Sequence, residues 1–291
     1  MYDYLTPAAL EQFISQALAE DNGKGAVNFF GDHSALSAVP ETAQNTAQLL
    51  IKGDGILAGL DLARLIFEQV DRDLNLTFFK KDGEQVQKGE IAFEVSGRAQ
   101  SILTAERVVL NCMQRMSGIA TLTQKYVQAV SHTRAKILDT RKTTPNSRLI
   151  EKWAVRIGGG TNHRFGLFDM IMLKDNHVDF AGGIRAAITA AHRYLEKHQQ
   201  KLPIEIETRN LDEVEEVLKV GGVDVIMLDN MSIDAMKAAV ALIGGRFETE
   251  ASGGITLETI AAVAETGVDS ISVGALTHSY QSIDLSLKAK K

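Results

Sequence analysis

Residues 136 to 164 carry seven cationic side chains, Lys136, Arg141, Lys142, Arg148, Lys152, Arg156 and Arg164, against two acids, Asp139 and Glu151. That is a local charge of +5 in a chain whose formal charge is −6. A basic run standing alone reads as a solvated face. Here Arg141-Lys142 directly follows an apolar strand-like run, and Asn162-His163-Arg164 follows the triplet Gly158-Gly159-Gly160, so several cations are expected to converge on a pocket. Arginine forks match carboxylate or phosphate, and lysine supplies a point charge, so the pocket would take a small polyanion. His163 reads either as part of that pocket or as a hydrogen-bonded structural histidine.

Ser252-Gly253-Gly254-Ile255 and Val273-Gly274-Ala275 each follow a strand-like run. Successive N–H groups freed by glycine make a phosphate cradle, and the competing reading is plain turn chemistry. Glu207 and Asp229 stand alone at strand ends. They could neutralise the cations, or complete the shell of a Mg²⁺ held mainly by substrate phosphates. Lys174 could be a Schiff-base amine, an anion-binding cation or an ion-pair partner. No Cys-His or His-His spacing supports a transition-metal site.

These residues need elements to hold them. From about Ala135 the pattern is strand, polar residue, helix, repeated. The strands are expected at 136–138, 169–173, 204–206, 223–228, 246–249 and 269–273. The helices are expected at 184–198, 211–220, 233–243 and 257–266, with Asn210, Ser232 and Thr256 as N-caps. Alternating strands and helices imply a parallel sheet, and polar residues at nearly every strand end favour an α/β barrel over an open doubly wound sheet. The glycine triplet has the wrong spacing for a dinucleotide fingerprint. Earlier, the spacing of Leu10, Phe13, Ile14, Ala17 and Leu18 predicts a helix over 6–19 with Thr6 as cap and Pro7 at its first position. Strands are expected at 47–51, 74–79 and 91–95, separated by glycine turns.

The composition, 45% hydrophobic and 23% charged over 291 residues, is that of a globular chain. Its acidic balance argues against a nucleic-acid binder with a basic surface. The apolar runs are too short to span a membrane. Met1 to Leu10 contains Asp3 and no Lys or Arg, so no signal peptide is expected. The single cysteine, Cys112, excludes an internal disulfide, and a reducing, cytoplasmic home is the expectation.

Eight motifs, taken in order, closely resemble the quinolinate phosphoribosyltransferase family: Glu106-Arg107, Asp139-Thr140-Arg141-Lys142-Thr143-Thr144-Pro145, Gly158-Gly159-Gly160, Asn162-His163-Arg164, Leu173-Lys174-Asp175-Asn176-His177, Leu228-Asp229-Asn230, Ser252-Gly253-Gly254-Ile255 and Val273-Gly274-Ala275-Leu276-Thr277. The resemblance implies an N-terminal α/β sandwich over 1–112, completed by 279–291, and an incomplete, open α/β barrel over 113–278. It implies transfer of a phosphoribosyl group from phosphoribosyl pyrophosphate to quinolinate with decarboxylation, a step in NAD biosynthesis. Carried over residue by residue, Arg107, Thr140, Arg141, His163, Arg164 and Lys174 would bind quinolinate. Lys142, Glu207, Asp229, Ser252, Gly253, Gly254, Gly274 and Ala275 would handle phosphoribosyl pyrophosphate. Lys142, Glu207 and Asp229 would act electrostatically, and Glu207 and Asp229 would hold Mg²⁺. The resemblance also implies a homodimer in which Arg107 is donated across the interface.

Two departures from the family pattern stand out. Asn22 to Phe30 intervenes before Gly31-Asp32-His33-Ser34, and Asn146 follows Pro145 where relatives commonly carry glycine. Two other readings compete on the residues alone. A phosphoribosyltransferase for nicotinate would share the phosphate half of the site, and a Schiff-base aldolase would use Lys174 as nucleophile. A non-catalytic binding module fits poorly with polar residues spread over six strand ends.

Overall fold

The computed structural model of the chain describes residues 4–290, so Asp3 and the rest of the first three residues lie outside it, as does Lys291. The chain forms two compact units. One takes in the chain up to Gln124, Thr143–Gly159 and the residues from Ser279 onward; the other is Lys125–Lys142 with Gly160–His278.

The first unit begins with α1 (Pro7–Asn22), capped by Thr6, whose Oγ1 accepts the Ala9 N–H at 3.2 Å. It runs three residues past the expected end and stops at Gly23, whose φ of 76° puts it in the left-handed region. There follow α2 (His33–Ala38), β1 (Gln44–Ile51), β2 (Gly55–Ile56), α3 (Leu60–Val70), β3 (Asn75–Phe78), β4 (Gln85–Val86), β5 (Ile91–Arg98) and α4 (Ala99–Ala129). The main sheet is antiparallel, in the order β12-β1-β5-β3, where β12 is Leu285–Ala289. Alternation along β1 buries Ala47, Leu49 and Ile51, which stand opposite Val95, Leu287 and Leu285 in the ladders. The helix α3 buries Leu62, Ala63, Ile66 and Phe67, and Phe67 meets Phe93 edge-on at 6.0 Å. Along α4, Ala105, Val109, Met113, Met116 and Ala120 are buried at helical spacing.

α5 (Arg148–Ile157) also belongs to this unit. Its Glu151 is fully buried and paired with Arg115 at 2.5 Å, while its second oxygen accepts the Thr144 N–H at 3.0 Å. Only part of the basic run is available to a pocket in the second unit: Arg148, Lys152 and Arg156 lie on α5, in the first unit, where Lys152 is wholly buried. The residues from Ser279 onward join the first unit, as in the expected division into 1–112 with 279–291 and 113–278, but the boundary does not fall after residue 112. That position falls inside α4, whose helical run is uninterrupted.

The second unit contains β6 (Lys136–Leu138), β7 (Ile171–Leu173), α6 (Asp175–Ala181), α7 (Ile184–His198), β8 (Ile204–Thr208), α8 (Leu211–Val220), β9 (Val225–Asp229), α9 (Ile233–Ile243), β10 (Glu248–Ser252), α10 (Ile260–Ala264), β11 (Ser270–Ser272) and α11 (Ala275–His278). Its strands are all parallel, in the order β6-β11-β10-β9-β8-β7. From β7 onward each strand lies beside its successor, and β6 returns to the far edge beside β11. That is the winding of an α/β barrel left open between its first two strands. Thr161 partly fills the opening: its N–H donates to Ile137 O at 2.8 Å, and its carbonyl accepts the Asp139 N–H at 3.2 Å. Asn210 and Ser232 cap α8 and α9 as expected. Thr256 does not cap a helix. Residues 257–259 form a turn in which the Thr256 N–H donates to Thr259 Oγ1 at 3.0 Å, and α10 starts only at Ile260.

Candidate active site

Side chains alternate across a strand, so residues two apart share a face. On β8 the inward face carries Glu205 and Glu207, on β9 Met227 and Asp229, and on β10 Glu250 and Ser252. All of these except Glu205 line one cavity of about 630 Å³ in the second unit. Thr140, Arg141, Lys142, His163, Arg164, Met172, Lys174, Asp175, Asn230, Gly253, Gly254 and Ser272 complete its wall.

Asp139, fully buried just beyond β6, organises the cationic side. Its two carboxylate oxygens accept the Asn162 side-chain amide at 2.5 Å and the His163 backbone N–H at 2.9 Å, which turns residues 162–164 toward the cavity. Asp169 performs the same task one step on, accepting the N–H groups of Phe165 and Gly166. Arg164 donates to Met170 O at 3.3 Å. Burial, and then the neighbouring Arg141 cation, push the Arg164 guanidinium below its usual value. Two guanidinium groups that close call for an anion.

Lys174 follows β7, and its ammonium reaches Glu207 Oε1 at 2.5 Å, while Glu207 Oε2 accepts the Asp175 N–H at 3.2 Å. Of the three roles open to Lys174, the geometry shows an ion pair; a Schiff-base nucleophile needs a free amine. His177 accepts the Lys174 N–H through Nδ1 at 2.9 Å, which fixes the start of α6.

The glycine loops meet the cavity unequally. Gly253 and Gly254 line it with φ of 99° and 60°, in the left-handed region that favours glycine. A Cβ on Gly253 would collide with the Asn230 side chain and come 2.9 Å from the Asn230 backbone nitrogen. Asn230 is itself left-handed, with φ 53°; its N–H donates to Ser252 O at 2.9 Å and its amide to Asp229 Oδ2 at 2.8 Å. Gly274 sits against Lys142, since a Cβ there would come 2.9 Å from Lys142 Cδ. Thr277 Oγ1 donates to Lys142 O at 2.9 Å and ties the two loops together. Ala275 opens α11 and is not among the cavity-lining residues, and Arg107 belongs to the first unit, exposed on α4.

For Mg²⁺ the two carboxylates differ. Both oxygens of Glu207 are committed to Lys174 and Asp175, so Glu207 does not fit as a metal ligand. Asp229 is partly exposed, and the Asn230 amide engages one of its oxygens. It fits as a single carboxylate beside phosphate oxygens.

Sequence reasoning quoted Asp139 and Asn230 within motifs but gave them and Glu250 no role, and it passed over Glu205. The signal for Glu205 was Ile204-Glu205-Ile206-Glu207-Thr208, a wholly buried strand that carries two acids on one face.

Comparison with known proteins gives one answer over both units. The model of the quinolinate phosphoribosyl transferase N-terminal domain matches residues 32–117, and that of the C-terminal domain matches 119–288. The chain is 48% identical over 293 residues to the rice protein named nicotinate-nucleotide pyrophosphorylase [carboxylating], chloroplastic, covering 96% of this chain and 77% of that one. It is 47% identical to Nicotiana glauca quinolinate phosphoribosyltransferase [decarboxylating] 2, mitochondrial, covering 96% and 82%. The crystal structure of NadC from Streptococcus pyogenes superposes with a TM-score of 0.89 at 40% identity, covering 99% of each chain. Fold, site and relatives together define a phosphoribosyltransferase enzyme. The chain belongs to the quinolinate phosphoribosyltransferase family.

The names of the plant relatives also correct the cytoplasmic expectation, since they place proteins of this family in chloroplasts and mitochondria. A lone buried cysteine reports a chain without disulfides and does not select a compartment. No helix among the described residues is long and apolar enough to cross a membrane.

Proposed function

We propose that the chain joins quinolinate to phosphoribosyl pyrophosphate and releases pyrophosphate and CO₂, leaving nicotinate mononucleotide for NAD synthesis. The observation that carries this reading is one cavity lined by Arg141, Arg164 and Lys174 on one side and by Ser252, Gly253 and Gly254 on another. A pyridine dicarboxylate needs several fixed cations in order to leave water, whereas a phosphoribosyl group needs a cradle of N–H donors.

In this reading Thr140, Arg141, His163, Arg164 and Lys174 hold the dicarboxylate, and Lys142, Ser252, Gly253 and Gly254, with Gly274 beside Lys142, hold the phosphoribosyl group. As pyrophosphate leaves, positive charge builds on the anomeric carbon, and Asp229 with Glu207 stabilises it electrostatically. The pyridine nitrogen attacks that carbon, and the positive charge of the resulting pyridinium stabilises the electron pair that the departing 2-carboxylate leaves on the adjacent ring carbon. Glu207 also holds Lys174 in place. Mg²⁺, held by Asp229 and the pyrophosphate oxygens, would neutralise charge on the leaving group. Arg107, exposed on α4, would be donated to the site of a second copy in a two-fold homodimer.

Purified protein supplied with quinolinate, phosphoribosyl pyrophosphate and Mg²⁺ should form nicotinate mononucleotide, with far less product from nicotinate. A missing carboxylate would leave the part-buried Arg141 and Arg164 partly unpaired. Equal rates with the two acids would end the dicarboxylate reading, and full activity in excess chelator would end the metal role.

A further inference from the structure

The barrel interior holds a cluster of which the reaction as described uses only His163, leaving two buried glutamates without a role. His163 Nε2 lies 3.0 Å from Glu205 Oε2 and 3.3 Å from Glu250 Oε2, and the three side chains are 6%, 1% and 2% exposed. Interiors of parallel barrels are normally filled by branched apolar side chains. Two glutamates projecting there from β8 and β10 are costly unless protons or cations offset their charge. Glu205 Oε1 and Glu250 Oε1 are buried with no hydrogen-bond partner among the described residues. A single imidazole N–H cannot serve both carboxylates, so the cluster retains a proton beyond those of a neutral ring and two carboxylates.

The surrounding groups agree. Burial raises the Glu205 carboxyl. Burial opposes charge on His163 as well, but its hydrogen bonds to Glu205 and Glu250 outweigh it and raise the affinity for a proton there. The Arg164 N–H, 2.6 Å from His163 Nδ1, keeps that nitrogen an acceptor, so the retained proton sits on the other side of the ring, between Nε2 and the two carboxylates. The charged groups facing it are Arg164, with Arg141 beyond, and Asp139, which fixes the His163 backbone; Lys174 and Glu207 pair with each other at the ends of β7 and β8.

Loss of the 2-carboxylate requires such a proton. The bond from ring carbon to carboxylate carbon breaks and CO₂ leaves. The electron pair stays on the ring carbon beside the pyridinium nitrogen and must form a C–H bond. Arginine cannot supply the proton, and Lys174 is committed to Glu207. We propose that the His163–Glu205–Glu250 cluster supplies the proton that replaces the departing carboxylate. His163 and Glu250, which line the cavity, present it, and Glu205 holds the imidazole from beneath as a positioning residue. Water restores the proton once the product has left. This step rests on the reaction proposed above.

The test is rapid-quench turnover of the whole protein with quinolinate, phosphoribosyl pyrophosphate and Mg²⁺, following pyrophosphate, CO₂ and both nucleotides. In the wild type CO₂ should keep step with pyrophosphate. In Glu250→Gln and Glu205→Gln pyrophosphate release should persist while CO₂ release slows roughly a hundredfold, the scale of a lost general acid. The nucleotide that still carries its 2-carboxylate should then accumulate. Glu205→Asp, which keeps a carboxyl, should recover much of the loss and serves if a glutamine variant fails to fold. CO₂ and pyrophosphate staying in step in the folded variants, at the wild-type rate or equally slowed, would overturn the assignment. Absence of pyrophosphate release in the wild type would instead remove the reaction itself, and this step with it.

Discussion

Lys174 and Glu207 close a 2.5 Å ion pair between the ends of two neighbouring parallel strands, with the lysine side chain 46% exposed and the glutamate only 9%. The lysine thus presents its charge to the cavity while covering a nearly buried carboxylate. Lys174→Ala removes a cation from the cavity wall and leaves Glu207 uncompensated. Turnover with quinolinate should fall at least roughly a hundredfold. Near-normal kcat/KM in that variant would take Lys174 out of the site.

Gly253 faces two constraints at once. Its φ of 99° is strained for any side chain, and a Cβ would meet Asn230. Gly253→Val should therefore displace the Asn230–Ser252 contact and raise the concentration of phosphoribosyl pyrophosphate needed for half-maximal rate, with a smaller effect on quinolinate. An unchanged apparent affinity would locate the cradle elsewhere.

Asp82 gives the first unit a pH dependence of its own. Its Oδ1 accepts the Leu60 N–H at the start of α3 at 2.9 Å, its Oδ2 is buried with no hydrogen-bond partner among the described residues, and burial lifts its carboxyl to about 6. The folded state therefore holds the proton more tightly than the unfolded chain does. The stability this contributes is complete below pH ~4 and is lost as the pH rises through about 6, on the order of 3 kcal/mol. Urea titrations from pH 4 to pH 8 should show that decline in the wild type and not in Asp82→Asn. Parallel curves for the two proteins would exclude Asp82 as its source.

If Arg107 serves a second copy, Arg107→Ala and Lys142→Ala should each be nearly inactive alone. Co-refolded at random, they should recover roughly a quarter of wild-type activity, because half the dimers would carry one intact site. No recovery in a mixture shown to contain heterodimers would confine Arg107 to its own chain.

Elements whose apolar pattern faces one way were legible in the sequence. The expected bounds of α7, α8 and α9 match those observed, because each has a clear stripe and a capping residue or glycine at its ends. β10 was misplaced, expected over 246–249 and observed over Glu248–Ser252. Its inward face is Glu250 and Ser252, and polar residues aimed into a cavity break the alternation on which a strand reading depends. The same blindness hid the pairing of His163 with Glu205 and Glu250. Charge density misled in the opposite direction, since Arg148, Lys152 and Arg156, close in sequence, lie on α5 in the first unit, whereas Arg141 and Arg164 are brought together from different loops.

The ladder that joins Ile51 to Leu285 and Leu49 to Leu287 has a temporal consequence. As the chain leaves the ribosome, one edge of β1 has its neighbour only after the entire barrel has been made. Until then the growing polypeptide carries an open strand edge with apolar side chains, the kind of surface that chaperones shield and that drives aggregation when they fail. The barrel, whose strands pair largely with their immediate successors, is free to mature first, so the segment translated earliest is the one whose sheet closes last.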